Sequence, residues 1–258
     1  MKRKKTMLVF TAVVIVVSLI AWQPKNKNDS YTDSKTDNIN QPKTNSFDKK
    51  QHSTEEPDSL WVIVNKGRKL SRGYIPSELL TPTVPLRFSA SSAEMKLKME
   101  AANALERLFA SAEEQNLQLL LVSGYRSYSS QEAIYSRNVK RDGQAKTDAT
   151  SARAGHSEHQ TGLAVDVGSK SRKCELDKCF GSTTEGLWVE ANAYKFGFIV
   201  RYQNGKQNLT GYDYEPWHLR YVGTELASEI YRSNQTLELF FGLPTYSIYS
   251  TNSIQLRL

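Results

Sequence analysis

The chain has 258 residues, 39% of them hydrophobic, which is too apolar for a wholly disordered chain and sufficient for one well-packed domain. Its formal net charge is only +7, and much of that excess sits at Lys2, Arg3, Lys4 and Lys5. The rest of the chain has no long Lys/Arg run and no interleaved basic and aromatic stripe, which argues against a nucleic-acid partner.

The four basic residues precede the apolar run Met7 to Trp22. That run is slightly short for an ordinary membrane span of about 20 residues. Basic followed by apolar is the order of an export signal. Ala21 is followed by Trp22, Gln23 and Pro24, so no clear small-x-small cleavage site is present, and no Cys near residue 22 offers a lipid anchor. Residues 1–22 are therefore read as an uncleaved signal-anchor or a cleaved signal peptide, with everything after them exported. Residues 23–58 are mostly Asn, Lys, Asp, Ser, Thr and Gln. They bury too little to offset ordering entropy and read as a disordered polar spacer with a reach of roughly 30 Å.

Folded character is expected over residues 59–258. Trp61 to Val64 reads as a short apolar strand. Leu97, Ala101, Leu105, Leu108 and Phe109 share one helical face, which predicts a helix over Glu94–Ala110 with Ser91 or Ser92 as its N-cap. Leu117–Val122 is a buried strand broken by Gly124, and a helix opens at Ser129 or Ser130 and runs to about Val139. Residues 141–157 are polar and read as a loop. Leu163–Val167 alternates like a strand. Residues 168–185 form a long loop that carries Cys174 and Cys179, either closing a small disulfide or remaining free thiols. Leu187–Lys195 suits a helix stopped by Gly197. Phe198–Tyr202 and Trp217–Val222 are strands, and Gly223 leads into a helix through about Ser233. Leu237–Leu258 receives no assignment. Helices mixed with hairpin-compatible strands predict an α+β fold, a single domain with a central antiparallel sheet flanked by helices.

The chemistry concentrates in two fragments. Only four histidines occur: His52 in the spacer, His156 and His159 in Gly155–Val167, and His218 in Tyr214–Arg220. His159 at a loop and Asp166 on the following strand can converge on one ion, and the small Gly162 and Ala164 between them let backbone approach it. His218 supplies a third ligand from a second strand. Pro216 restricts Glu215 to extended geometry, which leaves a spare carboxylate beside the ion. Three N/O ligands with a neighbouring base form an open zinc site, of the hydrolytic kind. His156 is read as a loop residue near it. Tyr125, Trp217 and Tyr221 are read as core aromatics, and Arg201 and Arg220 as structural or groove-lining.

Ser157-x-His159-x-x-Gly162-x-Ala164-x-Asp166, followed by Glu215-x-x-His218, resembles the zinc signature of the LAS metallopeptidases. Ser123-Gly-Tyr-Arg-Ser127, Gln131, Gly197–Tyr202, Thr210-Gly-Tyr212 and Glu215–Gly223 narrow the resemblance to VanY-type D-alanyl-D-alanine carboxypeptidases, over roughly Leu60 to Phe240. The resemblance implies one Zn²⁺ per chain, held by His159, Asp166 and His218. It implies that Glu215 is the catalytic base and that Arg126 binds the peptide's carbonyl oxygen or terminal carboxylate. It also implies that Gln131 and Ser157 line the substrate groove. The expected substrate is the terminal D-Ala-D-Ala bond of a peptidoglycan stem peptide or its precursor, met outside the membrane. The alternatives are an L,D-carboxypeptidase or peptidoglycan endopeptidase of the same fold, and a non-catalytic zinc-containing wall-binding module.

Overall fold

Phe47 to Arg257 are the residues described by the computed structural model, so the apolar segment and most of the spacer lie outside the described residues. Among the described residues no helix is long and apolar enough to cross a membrane. The ordered fold begins earlier than the sequence suggests. Phe47 stacks on Trp61 at 5.4 Å between ring centroids, and the Thr54 carbonyl accepts from the Ile63 amide and from Arg68.

In chain order the elements are β1 (Arg68–Lys69), β2 (Leu79–Leu80), β3 (Leu97–Lys98), α1 (Met99–Glu113), β4 (Leu119–Ser123), α2 (Tyr128–Asp142), α3 (Gln144–Thr150), β5 (Ala164–Ser169), α4 (Thr184–Asn192), β6 (Phe198–Tyr202), α5 (Gln207–Thr210), β7 (Glu215–Tyr221), α6 (Thr224–Ser233), α7 (Leu237–Phe241) and β8 (Ile254–Gln255). The main sheet has the order β4-β5-β7-β6, and every pairing in it is antiparallel. That is the expected central sheet. The C-terminal stretch from Leu237 supplies α7 and a short strand, β8, that pairs in parallel with β1.

The core explains the order of layers. α1 buries Ala101, Leu105, Leu108 and Phe109, together with three further alanines, in one cluster with Leu121, Val165, Val167 and Leu219 of the sheet. Each leucine fully removed from water there contributes about 1.5–3 kcal/mol. A second cluster gathers Trp61, Ile63, Ile199, Leu226, Ile230, Leu237 and Phe240 under α6 and α7. β5 is buried along its whole length, so it is a central strand and a rigid platform.

Four sequence expectations are corrected by tertiary contacts. Trp61–Val64 is buried but forms no strand, because its amides bond to turn carbonyls at Ser59 and Thr54. The helix expected from Glu94 starts only at Met99. The intervening backbone is diverted to hold neighbouring loops: Glu94 and Lys96 carbonyls accept from Gly124 and Tyr125, and the Lys98 amide donates to Gly162. Gly124 is required there, since a Cβ would come within 2.4 Å of the Lys96 carbonyl oxygen. The loop expected over 141–157 contains α3, which Gly143 separates from α2 at φ +82°. α3 is polar and lacks an apolar stripe, so periodicity could not find it. The fourth shift is modest: α4 begins at Thr184, capped by the Thr183 hydroxyl. Cys174 and Cys179 form a disulfide within the expected loop.

Candidate metal centre and active site

Three buried side chains from three segments converge. His159 lies in a 3₁₀ turn, Glu158–Thr161, that ends on Gly162 at φ 72°. Its Nδ1 lies 2.6 Å from the Gly124 carbonyl oxygen, which can only accept. Nδ1 therefore carries the proton, and Nε2 presents its lone pair toward Asp166 Oδ2 at 3.3 Å. Asp166 on β5 is paired directly with His218 on β7. His218 Nδ1 is 3.0 Å from Asp166 Oδ1. One donor atom from each residue falls within 4.8 Å of the others. Two imidazoles and a carboxylate in this arrangement fit a zinc ion with an open fourth position.

Both strand pairs are irregular beside this group. Between Leu121 and Ser123, β4 advances two residues while β5 advances one; between Val200 and Tyr202, β6 advances two while β7 advances four. Such irregularities re-aim side chains near functional sites. Here they open a cavity of about 520 Å³ whose lining includes Arg126, Ser157, Glu215 and Trp217 beside the three donors. Trp217, expected in the core, packs against the core and also faces this cavity. Tyr202 stacks on the His218 ring at 5.0 Å, closing one side.

Arg126 is held before any ligand arrives. Its Nη1 donates to Gln131 Oε1 at 2.7 Å and its Nη2 to Ser123 Oγ at 3.0 Å, and the same Nη2 is 3.8 Å from Asp166 Oδ2. Gln131 is buried and its amide nitrogen donates to the Ala152 carbonyl. Both ends of that amide are spent inside the protein, so Gln131 orients Arg126 and does not line the groove as expected. Ser157 lines the cavity. His156 stays out of the donor group, buried with Nδ1 2.7 Å from the Asn65 carbonyl.

The electrostatics follow the same layout. Burial alone would raise the Asp166 carboxyl, but His159 and His218 outweigh it and hold it far below the usual range. Burial keeps His159 below its ordinary value, hence neutral. Burial acts against a charged His218 too, yet the hydrogen bond with Asp166 and the nearby carboxylate of Glu158 lift it to about 9. With protein groups alone, burial pushes Glu215 up to about 8, with Asp166 adding to the push and His218 and Arg126 opposing it. Glu215 keeps part of its surface open to the cavity, and both water and a dication beside it act in the opposite direction.

Comparison with known proteins agrees with this geometry. The family model for VanY, D-alanyl-D-alanine carboxypeptidase, matches residues 94–224. The chain belongs to the VanY family. The putative carboxypeptidase YodJ of Bacillus subtilis (strain 168) is 44% identical over 187 residues, covering 72% of this chain and 68% of that protein. Among solved structures, the LdcB LD-carboxypeptidase is 43% identical with a TM-score of 0.69, covering 73% of this chain and 88% of LdcB. The vancomycin-resistance D,D-pentapeptidase VanY of a VanB-type cassette, solved in complex with Zn(II), is 30% identical with a TM-score of 0.59, covering 72% of this chain and 99% of that one.

One feature of this VanY-family chain was not legible in the sequence. Glu158 is buried, and its Oε1 accepts from Arg201 Nε at 2.8 Å and Arg220 Nη1 at 3.0 Å. Arg201 in turn holds Glu238 of α7 through two nitrogens. The only sequence signal was a glutamate next to His159 and two arginines on strands. The outer pair sets an acid limit to stability. Burial would raise the Glu238 carboxyl, but Arg201 outweighs it and keeps it below the usual range. An unfolded Glu titrates at about 4.3, so this pair stabilises the fold above that pH, and its contribution is lost as pH falls further toward the depressed folded value. Melting temperature is therefore expected to drop as pH is lowered from about 4.5 to 3. Glu238→Gln is expected to cost about 3–5 kcal/mol at neutral pH and to flatten that acid limb. Thermal unfolding across pH 3 to 7 checks both; a variant with an unchanged acid limb contradicts the assignment.

Proposed function

We propose that this chain is a zinc D,D-carboxypeptidase that removes the terminal D-alanine from peptidoglycan stem peptides, with His159, Asp166 and His218 as the metal ligands. The observation that carries the reading is the placement of a spare carboxylate, Glu215, and an anchored guanidinium, Arg126, on the same open cavity as the buried donor group. His159, Asp166 and His218 would hold a zinc ion there, which would supply Lewis-acid polarisation of the scissile carbonyl and a water of lowered pKa, toward about 7. Glu215 takes a proton from the attacking water as its oxygen bonds to the carbonyl carbon. When the C–N bond breaks, Glu215 passes that proton to the departing amine nitrogen, so that acid and free D-alanine result. Arg126, its fork fixed by Gln131 and Ser123, binds the peptide's carbonyl oxygen or its terminal carboxylate. Ser157 shapes the groove beside His159. Residues 1–22 export the domain and attach it to the membrane unless cleaved, and the spacer lets it reach the wall.

A second reading within the fold is L,D-carboxypeptidase activity on tetrapeptide stems. It is favoured by the 43% identity and TM-score of 0.69 with the LdcB LD-carboxypeptidase. Defined stem peptides separate the two. The full-length chain, incubated with a pentapeptide ending in D-Ala-D-Ala, is expected to release one D-alanine and leave the tetrapeptide intact, as read by mass spectrometry. Faster trimming of the tetrapeptide to a tripeptide would replace the first reading by the second. No cleavage of either, with the peptide still bound, would indicate a wall-binding module.

A further inference from the structure

We propose that Glu158 is a positioning residue for the metal centre, holding the His218 ring so that Nδ1 and not Nε2 faces the ion, and that Arg220, Arg201 and Glu238 exist to hold Glu158. The inference rests on the reading of His159, Asp166 and His218 as ligands. His218 has two ring nitrogens with different surroundings. Nδ1 lies on the side of Asp166, 3.0 Å from its Oδ1. Nε2 points the other way, to Glu158 Oε2 at 3.6 Å. That contact is longer than an ordinary hydrogen bond, but neither buried atom has any other partner among the described residues. A nitrogen that ligates must give up its proton, so the remaining proton of a neutral His218 sits on Nε2 and needs an acceptor. Glu158 Oε2 is the acceptor at hand, because its other oxygen is taken by the two arginines.

The surrounding charges make sense on this basis. Glu158, Arg201, Arg220 and Glu238 are all buried, and their formal charges cancel. They come from the turn of His159, from β6, from β7 and from α7. Taking four charges out of water is costly, and well-packed apolar residues of similar size would stabilise a fold as well or better. Stability is thus a poor account of the cluster. Presenting one carboxylate oxygen at a set place beside a ligand is a better one, since metal-bound imidazoles are commonly oriented by a carboxylate on the far nitrogen. The device also extends beyond residues 94–224 to Glu238, which gives the C-terminal helix α7 a part in the metal site.

The test is zinc affinity, measured on the full-length chain by competition with a chromophoric chelator. Glu158→Gln keeps the volume and is expected to weaken zinc binding by about 10- to 100-fold. A folded Glu158→Gln protein that binds zinc within about twofold of the parent overturns the proposal. Should that variant fail to fold, the parent protein decides the matter. With four histidines in the chain, ¹⁵N spectra of the zinc-loaded imidazoles resolve His218, and a proton on Nε2 is expected. A proton on Nδ1 with Nε2 on the metal overturns it. Failure of the underlying ligand reading looks different: the parent itself would bind no stoichiometric zinc, or His218→Ala would bind it as well as the parent.

Discussion

Glu215→Gln is expected to lower kcat for D-alanine release by about 10³-fold while leaving zinc bound and the fold intact. General acid–base catalysis by a positioned side chain contributes typically about 10²–10⁴-fold. In the proposed mechanism Glu215 acts twice, removing a proton from water and delivering it to nitrogen, so a value inside that range is anticipated. The amide of glutamine matches the carboxylate in size but cannot accept the proton at neutral pH. Glu215 is the first residue of β7, at the break in pairing with β6, and it is not among the buried donor group. Its substitution should therefore leave metal affinity within a small factor. Steady-state turnover and zinc content on the same sample decide the point. A variant that retains full turnover removes Glu215 from the mechanism, and one that also loses its zinc makes it a ligand instead of a base.

Removing the metal is the second large effect. Dialysis against a chelator is expected to abolish turnover and to lower the melting temperature by roughly 10 °C relative to protein in excess zinc. A ligand that binds only the folded state at a thousand times its Kd adds about 4 kcal/mol, and each kcal/mol moves the transition of a domain of this size by about 2–4 °C. One equivalent of zinc should restore both. Undiminished turnover in a sample holding less than about one-tenth of an equivalent of zinc would refute the dependence on metal. The melting shift matters separately, because it reports on the site without reference to substrate.

The donor set was legible because its residues crowd into two short segments. His159 and Asp166 are seven positions apart on one turn-strand path, and Glu215 and His218 flank Pro216 on the next strand of the site. Local spacing and residue type were enough to name them. β6, Phe198–Tyr202, was read to its end residues because a short apolar stretch lies between Gly197 and Gly205. By contrast, the roles of Arg201 and Arg220 depended on partners far along the chain. Glu158 meets Arg201 across 43 positions and Arg220 across 62. The helix expected over Glu94–Ala110 loses its first turn, because the Glu94 and Lys96 carbonyls accept from Gly124 and Tyr125.

Two kinds of information therefore divide. Composition, periodicity and motif spacing determined the α+β class and the antiparallel sheet, and singled out the three residues that the fold brings together as a donor group. Those are properties of neighbouring residues. Only the folded chain decided which nitrogen of His159 is free, that Gln131 braces Arg126, and that Glu158 stands behind His218. The physical reason is burial. Inside the protein a polar atom must find a partner, and which partner it finds is set by the packing of strands and helices that are remote in sequence.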